Sequence, residues 1–171
     1  MLFITVPAYA QTDTVERVID GDTIIVITPE GKIEKVRLIG IDAPESMFNN
    51  KTRQDSKRTG QDFRDIVKLG QEAAEFVKGL VKSGQKITLE SDAQVRDTTG
   101  ALWGYVFTMT PETPRGKTPD YQKGNFYANK FFLNAAIINE GYAAPMTIPP
   151  NVRYAGLFQK LYAQAKEAKR G

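Results

Sequence analysis

Val36-Arg37-Leu38-Ile39-Gly40-Ile41-Asp42-Ala43-Pro44-Glu45, together with Ile19-Asp20-Gly21-Asp22-Thr23 upstream, is the stretch on which the reading of this chain turns. The two segments place three Asp, one Glu and one Arg in or beside apolar runs of strand type. Carboxylates buried in such runs are costly unless something compensates them. A hard cation does so, because Ca²⁺ takes carboxylate and carbonyl oxygens in a flexible shell. Taken singly, each segment also has a plainer reading. Asp20-Gly21 is a strong hairpin-turn signal, and Asp42-Ala43-Pro44-Glu45 reads as a solvated loop leaving a strand. Arg37 and Asp42 are five residues apart, so regular strand alternation would send them to opposite faces. Gly40 lies between them and offers a bulge or bend that re-aims the side chains.

Outward from these segments, the Val- and Ile-rich runs Val15 to Ile27 and Ile33 to Ile41, with Gly31 between them, predict two or three strands. Residues 46–69 hold little apolar content and six Lys or Arg against three Asp, which predicts a loop or weakly ordered basic insertion with a helical lower half. From Gly70 to Ser83, Ala73, Phe76, Val77, Leu80 and Val81 recur at helical spacing, and Gly84 is the stop. Ile87 to Leu89 and Leu102 to Met109 read as strands, bringing the total to about five. Residues 110–126, rich in proline and glycine, read as an exposed excursion. Lys130 to Glu140 and Val152 to Lys169 return to helical periodicity. Five strands with a helix between the third and fourth, then terminal helices, predict an α+β fold: a closed β-barrel with about three helices.

With 171 residues the chain has the size of one domain. It contains no cysteine and no histidine, which removes disulfides, thiolate nucleophiles, ordinary zinc sites and Ser-His or Cys-His pairs. A catalyst built from this chain uses carboxylates, Arg, Lys, Tyr or a hard cation. The net charge of +3 is modest but uneven, and residues 151–171 carry five Lys or Arg against Glu167 alone, which suits a polyanionic partner. A solvated helical face reads that segment equally well. No apolar run is long enough to span a bilayer. Residues 1–14 read as a signal remnant or an N-terminal tail, because Ala8-Tyr9-Ala10 is a small-x-small pattern with Gln11 following, although no basic n-region precedes it. The expectation is a secreted or periplasmic monomer with its domain over 15–171 and insertions near 46–69 and 110–130.

The two acidic segments resemble the two signature segments of the thermonuclease (staphylococcal-nuclease-like) family, in that family's order and spacing. The resemblance continues through Gly70-Gln71-Glu72-Ala73-Ala74-Glu75-Phe76, through Leu89 to Gly100 and Tyr105-Val106, to Asn139-Glu140-Gly141-Tyr142-Ala143. It implies a five-stranded OB-type barrel and a calcium-dependent nuclease acting on DNA or RNA, single-stranded or flexible. It implies further that Asp22, Asp42 and the main-chain carbonyl of Ala43 hold Ca²⁺, that Glu45 acts on the attacking water as general base, and that Arg37 binds the phosphate. Asp20 reads as a turn or supporting carboxylate.

One position departs from the family. Where its pattern has a second phosphate-binding arginine after the turn glycine, this chain has Gly100-Ala101. Loss of such a charge costs on the order of 10²-fold in rate. Arg96, Arg53, Lys57 and Arg58 are candidates to replace it, and a weak or inactive nucleic-acid-binding barrel is the competing expectation. Pro145 to Pro149 stand where the family has an aromatic pair around the nucleotide. Trp103, Tyr105 and Tyr142 read as packing residues, with base stacking the alternative for Trp103.

Overall fold

Consecutive β-branched residues drive the first part of the chain into strands. In the computed structural model, which describes residues 10–109 and 130–170, β1 (Ala10–Asp20) turns at Gly21-Asp22 into β2 (Thr23–Ile27), and β3 (Ile33–Leu38) follows antiparallel. A break at Ile39-Gly40 precedes the short β4 (Ile41–Asp42). Then come α1 (Asn50–Thr59), α2 (Phe63–Leu80), β5 (Lys86–Glu90), β6 (Leu102–Met109), β7 (Lys130–Phe132), α3 (Leu133–Asn139), β8 (Ala144–Pro145) and α4 (Ala155–Glu167). The sheet order is β3-β2-β1-β5-β6-β7, and it closes because β3 also pairs with β6 in parallel, Arg37 opposite Trp103. The product is a closed five-stranded barrel with β7 on its edge and four helices, the α+β OB-type fold that the sequence predicts.

β1 serves two partners. Its residues 10–14 pair with β5 and its residues 14–20 with β2, and two register shifts, between Val15 and Arg17 and between Val18 and Asp20, bend it from one to the other. Ile24, Val26, Val36, Leu38, Val77, Val106 and Phe107 fill the core on both sides of the sheet, all at most 1% exposed. Behind the barrel, Leu133 and Ile137 of α3 pack with Phe158 and Leu161 of α4 in the same core. Asn134, fully buried on α3, accepts from Val106 N–H at 3.0 Å and donates to the carbonyls of Ile39 and Gly104 at 3.0 and 3.3 Å. One side chain thereby ties the β3–β4 break to β6.

Three expectations are corrected. Residues 50–59 form an ordered helix rather than a weakly ordered loop, which raises the count of helices to four among the described residues. Asn49 and Thr52 form a capping box, Lys57 and Arg58 lie in the last turn, and Gly60 closes the end at φ +75°. These polar caps hold a helix whose apolar content is too low to be read from periodicity. The next helix starts at Phe63, capped by the side chain of Asp62, rather than at Gly70. Lys130 to Phe132 form a strand, because Phe131 and Phe132 are buried in register with Thr108 and Phe107 of β6. Of the signal or tail reading at residues 1–14, residues 1–9 lie outside the described residues while 10–14 are strand paired with β5, and of the insertion near 110–130, residues 110–129 lie outside them. No described helix is long and apolar enough to cross a membrane.

Candidate active site at the open end of the barrel

Asp22 sits in the β1–β2 turn, and Gly21 before it permits the turn's position. A Cβ on Gly21 would stand 2.8 Å from the Cβ atoms of both Ala43 and Ala73. The close approach buries Asp22, whose Oδ1 accepts from the Thr23 hydroxyl at 2.8 Å and Oδ2 from Ala43 N–H at 3.1 Å. Burial pushes its pKa above the ordinary carboxylate value, against those two hydrogen bonds and the charges of Arg37 and Lys51. Ala43 suits this place because a larger side chain would collide with the turn, and its carbonyl accepts from Lys51 Nζ.

Asp42 is fixed by β4–β8 pairing, opposite Ala144. Gly40, at φ +81°, redirects the chain between Arg37 and Asp42, as the alternation argument requires, and receives Met146 N–H on its carbonyl at 2.9 Å. Glu45 follows on a loop held from two sides. Asp20 Oδ1 accepts both the backbone N–H of Ser46, at 3.1 Å, and the Ser46 hydroxyl, which gives this carboxylate the supporting role. Asn49 Nδ2 donates to Glu45 Oε2 at 2.6 Å.

The centre of the site is a lysine that sequence reasoning did not single out. Lys51 Nζ lies 3.0 Å from Asp42 Oδ1, 3.1 Å from Glu45 Oε1, 3.1 Å from the carbonyl oxygen of Ala43 and 3.8 Å from Asp55 Oδ2. Asp42 Oδ1 is buried and receives no well-aligned hydrogen bond, so the ammonium meets it as an ion pair. Burial works against the charged form of Lys51, but Asp42 and Glu45 outweigh it and raise the pKa above the usual lysine value. A signal was present: the Asn49/Thr52 capping pair puts Lys51 in the first turn of a helix just past Glu45, with Asp55 at i+4. Among the described residues no three acidic side chains stand close enough to hold a metal by themselves.

Arg37 projects from β3 with its guanidinium 5.5 Å from the centroid of the Trp103 ring, and Trp103 is itself 7% exposed, so its indole serves packing and a cation–π contact. Tyr105 is buried and donates to Asp92 at 2.9 Å, and Tyr142 stacks on Phe76 at 4.3 Å. Ala101 is buried in the turn after β5, bonded to Asp97 through its N–H and carbonyl. Arg96 does not turn toward the acids. It grips Glu34 with two bonds of 3.0 and 2.9 Å and donates to the Gly100 carbonyl at 2.7 Å. Arg58 pairs with Asp55 at 2.8 Å, and Arg53 lies over the Phe48 ring.

Beside the ion cluster, a cavity of about 250 Å³ runs from Asp42, Lys51 and Asp55 to Ile66, Tyr142 and Tyr162. The exposed rings of Phe48 and Phe63 meet edge to face at 5.1 Å, and Arg53 lies over the first and Arg64 over the second. Acid and cation thus adjoin a partly apolar cavity, and the aromatic-arginine pair is carried by Phe48, three residues past Glu45, and by Phe63 at the start of α2.

One family model and three relatives bear on this arrangement. The family model described as staphylococcal nuclease homologue matches residues 35–171. The thermonuclease of Staphylococcus hyicus is 31% identical over 163 residues, 95% of this chain and 76% of that protein. The thermonuclease of Staphylococcus intermedius is 30% identical over 153 residues, 90% of this chain and 70% of that protein. Endonuclease YhcR of Bacillus subtilis (strain 168) is 27% identical over 159 residues, which is 92% of this chain and 11% of that much longer protein.

Proposed function

The chain belongs to the staphylococcal nuclease homologue family, and from that premise we propose that it is a calcium-dependent nuclease hydrolysing phosphodiester bonds of DNA or RNA. The observation that carries this reading is the convergence of Asp42, the Ala43 carbonyl and Glu45 on one point already held by a cation, the Lys51 ammonium. The donors there are all oxygens, the set a hard divalent ion takes, and the buried Asp42 Oδ1, which already faces a cation, suits the same ligand. Asp42 and the Ala43 carbonyl would hold Ca²⁺, with Asp22 behind them. Asp22 holds its two oxygens in place through Thr23 and Ala43, and each keeps a lone pair for the ion. Bound Ca²⁺ supplies divalent charge beside the scissile phosphate.

The chain's own residues divide the remaining work. Arg37 offers two parallel donors to phosphate oxygens and offsets charge that develops on them. Glu45, oriented by Asn49, takes the proton of the attacking water through Oε1 once that oxygen parts from Lys51. The Phe48–Phe63 pair, with its two arginines, suits unpaired bases and their backbone, which supports a single-stranded or flexible substrate. The Ala8-Tyr9-Ala10 pattern supports a place outside the cytoplasm for the protein.

A second reading, a nucleic-acid-binding barrel with weak catalysis, is favoured by one observation: Ala101 is buried in its turn while Arg96 is committed to Glu34. Cleavage of denatured DNA and of RNA, in Ca²⁺ and in chelator, separates the two. The nuclease reading expects cleavage that chelation abolishes, that Mg²⁺ supports poorly and that Glu45→Gln lowers by about 10²-fold or more. Tight binding of an oligonucleotide by the intact protein with no cleavage in Ca²⁺ would give the case to the binder.

A further inference from the structure

We propose that Lys51 is a tethered competitor of Ca²⁺: its ammonium occupies the cation position of the site, and the metal binds by exchange with it. The inference rests on the calcium reading above and gives Lys51, there only the occupant of the point, a role in admitting the metal. Its ground is the identity of the oxygens. The Lys51 ammonium touches Asp42 at 3.0 Å, the Ala43 carbonyl at 3.1 Å and Glu45 at 3.1 Å, and these are the two groups that would hold the metal and the carboxylate that would act as base.

The lysine is delivered to that point by a rigid element. Asn49 caps α1 by accepting from Thr52 N–H at 2.9 Å, and Thr52, fully buried, donates its hydroxyl to the Met47 carbonyl at 2.8 Å. Asn49 also grips Glu45, so the turn that carries the ammonium is fastened to one of the carboxylates that receives it. The Lys51 side chain is about one-third exposed, which leaves it a way out toward solvent along α1.

Two cations cannot share these oxygens, since at contact distance a divalent ion and an ammonium repel more strongly than two unit charges do. Entry of the metal therefore moves the ammonium off Asp42 and Ala43, and with it off Glu45 Oε1. Glu45 keeps Asn49 on its other oxygen and so stays oriented while Oε1 becomes free. Loading of the metal and release of the base become a single event. Until then the acids are balanced by an internal charge.

Competition of this kind weakens metal binding by the fraction of molecules in which the oxygens are open. If Lys51 fills the position in about 90–99% of them, removing its charge tightens Ca²⁺ binding roughly 10- to 100-fold. Calorimetric titration of CaCl₂ into the chelator-stripped full chain measures this directly for the intact protein, Lys51→Met and Lys51→Gln. Both variants are expected to bind at least about tenfold more tightly. Both are also expected to melt lower than the intact chain in chelator, and to gain more in Tm when Ca²⁺ is added. Lys51→Gln keeps a hydrogen-bond donor, so it serves if Lys51→Met does not fold without metal. Equal or weaker Ca²⁺ binding by the folded variants overturns the exchange while leaving the calcium site standing. Absence of Ca²⁺ binding in all three proteins overturns the calcium reading and the exchange with it.

Discussion

Gly70 of α2 lies against the main chain of Glu45, so closely that a Cβ on it would stand 2.2 Å from the Glu45 carbonyl oxygen and 2.6 Å from Ser46 N. Both obstacles are backbone and neither can swing aside. In an exposed helix interior, alanine in place of glycine stabilises by roughly 1 kcal/mol. Here the clash reverses the sign. Gly70→Ala must push α2 or the Glu45 loop away, and a displacement of about 1 Å at a catalytic group can cost about 10²-fold in rate. The expected result is a fall in kcat of at least tenfold with a smaller loss of Tm. Steady-state kinetics on denatured DNA, beside a melting curve, checks it. An unchanged kcat would show that the loop's position is not set by this contact.

The vacancy in charge at Ala101 makes a second prediction. Ala101 precedes Trp103 by two residues and the Trp103 ring carries Arg37, so an arginine there adds a guanidinium near the one proposed to bind phosphate. Ala101→Arg is expected to raise kcat about tenfold, below the full value of one transition-state donor because the site is buried. Arg96→Ala is expected to leave kcat within about twofold and to lower Tm, since its partners are Glu34 and Gly100 rather than substrate. A collapse of kcat in Arg96→Ala, with no gain in Ala101→Arg, would mean that Arg96 leaves Glu34 during the reaction.

Acid sensitivity follows from Glu34. The hydrogen bonds from Arg96, then that from Lys32, hold its pKa down at about 2 from an ordinary 4.5. A carboxylate depressed in the folded state adds stability above its unfolded pKa, and the contribution is lost as pH falls from about 4.5 to 2. Because Lys32 and Arg96 are 66% and 43% exposed, solvent screens the pair, and about 1–2 kcal/mol is expected rather than the full linkage value. Denaturant unfolding of Glu34→Gln should show a deficit near pH 6 that closes toward pH 2. A deficit that persists at pH 2 would assign the loss to packing.

The barrel was legible in the sequence because its strands are written in β-branched residues and its acids stand where apolar strands could not tolerate them unaided. The helix at 50–59 was not, because it has a single buried residue, Thr52, and is held by caps instead of an apolar stripe. Lys51 went unseen for the same reason: its meeting with Asp42 depends on where that helix begins. Helical spacing over Gly70 to Ser83 assigns Gly70 no role of its own, whereas its use is to let another backbone approach. Arg96 was a fair candidate to replace the missing arginine, but its partner Glu34 lies on β3, and pairing over that separation leaves no local trace. Asp22, Arg37, Asp42, Ala43 and Glu45 were named from residue type and resemblance. The structure brings Asp42, Ala43 and Glu45 around one point, sets Asp22 behind Ala43 through a hydrogen bond, and stands Arg37 on the Trp103 ring.

The parallel contact that closes the barrel, Val36 to Leu38 against Leu102 to Gly104, joins two parts of the chain separated by both long helices and β5. The β1–β2–β3 meander and the β5–β6 pair use nearer neighbours and have less loop-closure entropy to overcome. Closure, like the β1–β5 pairing, therefore carries a larger loop-closure cost than the hairpins, and Arg37 sits on the seam. Before the seam closes, the β1–β2 turn bearing Asp22 can already be in place, while the Trp103 ring that supports Arg37 is still elsewhere. A chain that has formed only the β1–β2–β3 meander thus holds Asp22 and Arg37 through local pairing, whereas Asp42 waits for its β8 partner Ala144 and Arg37 for the Trp103 ring.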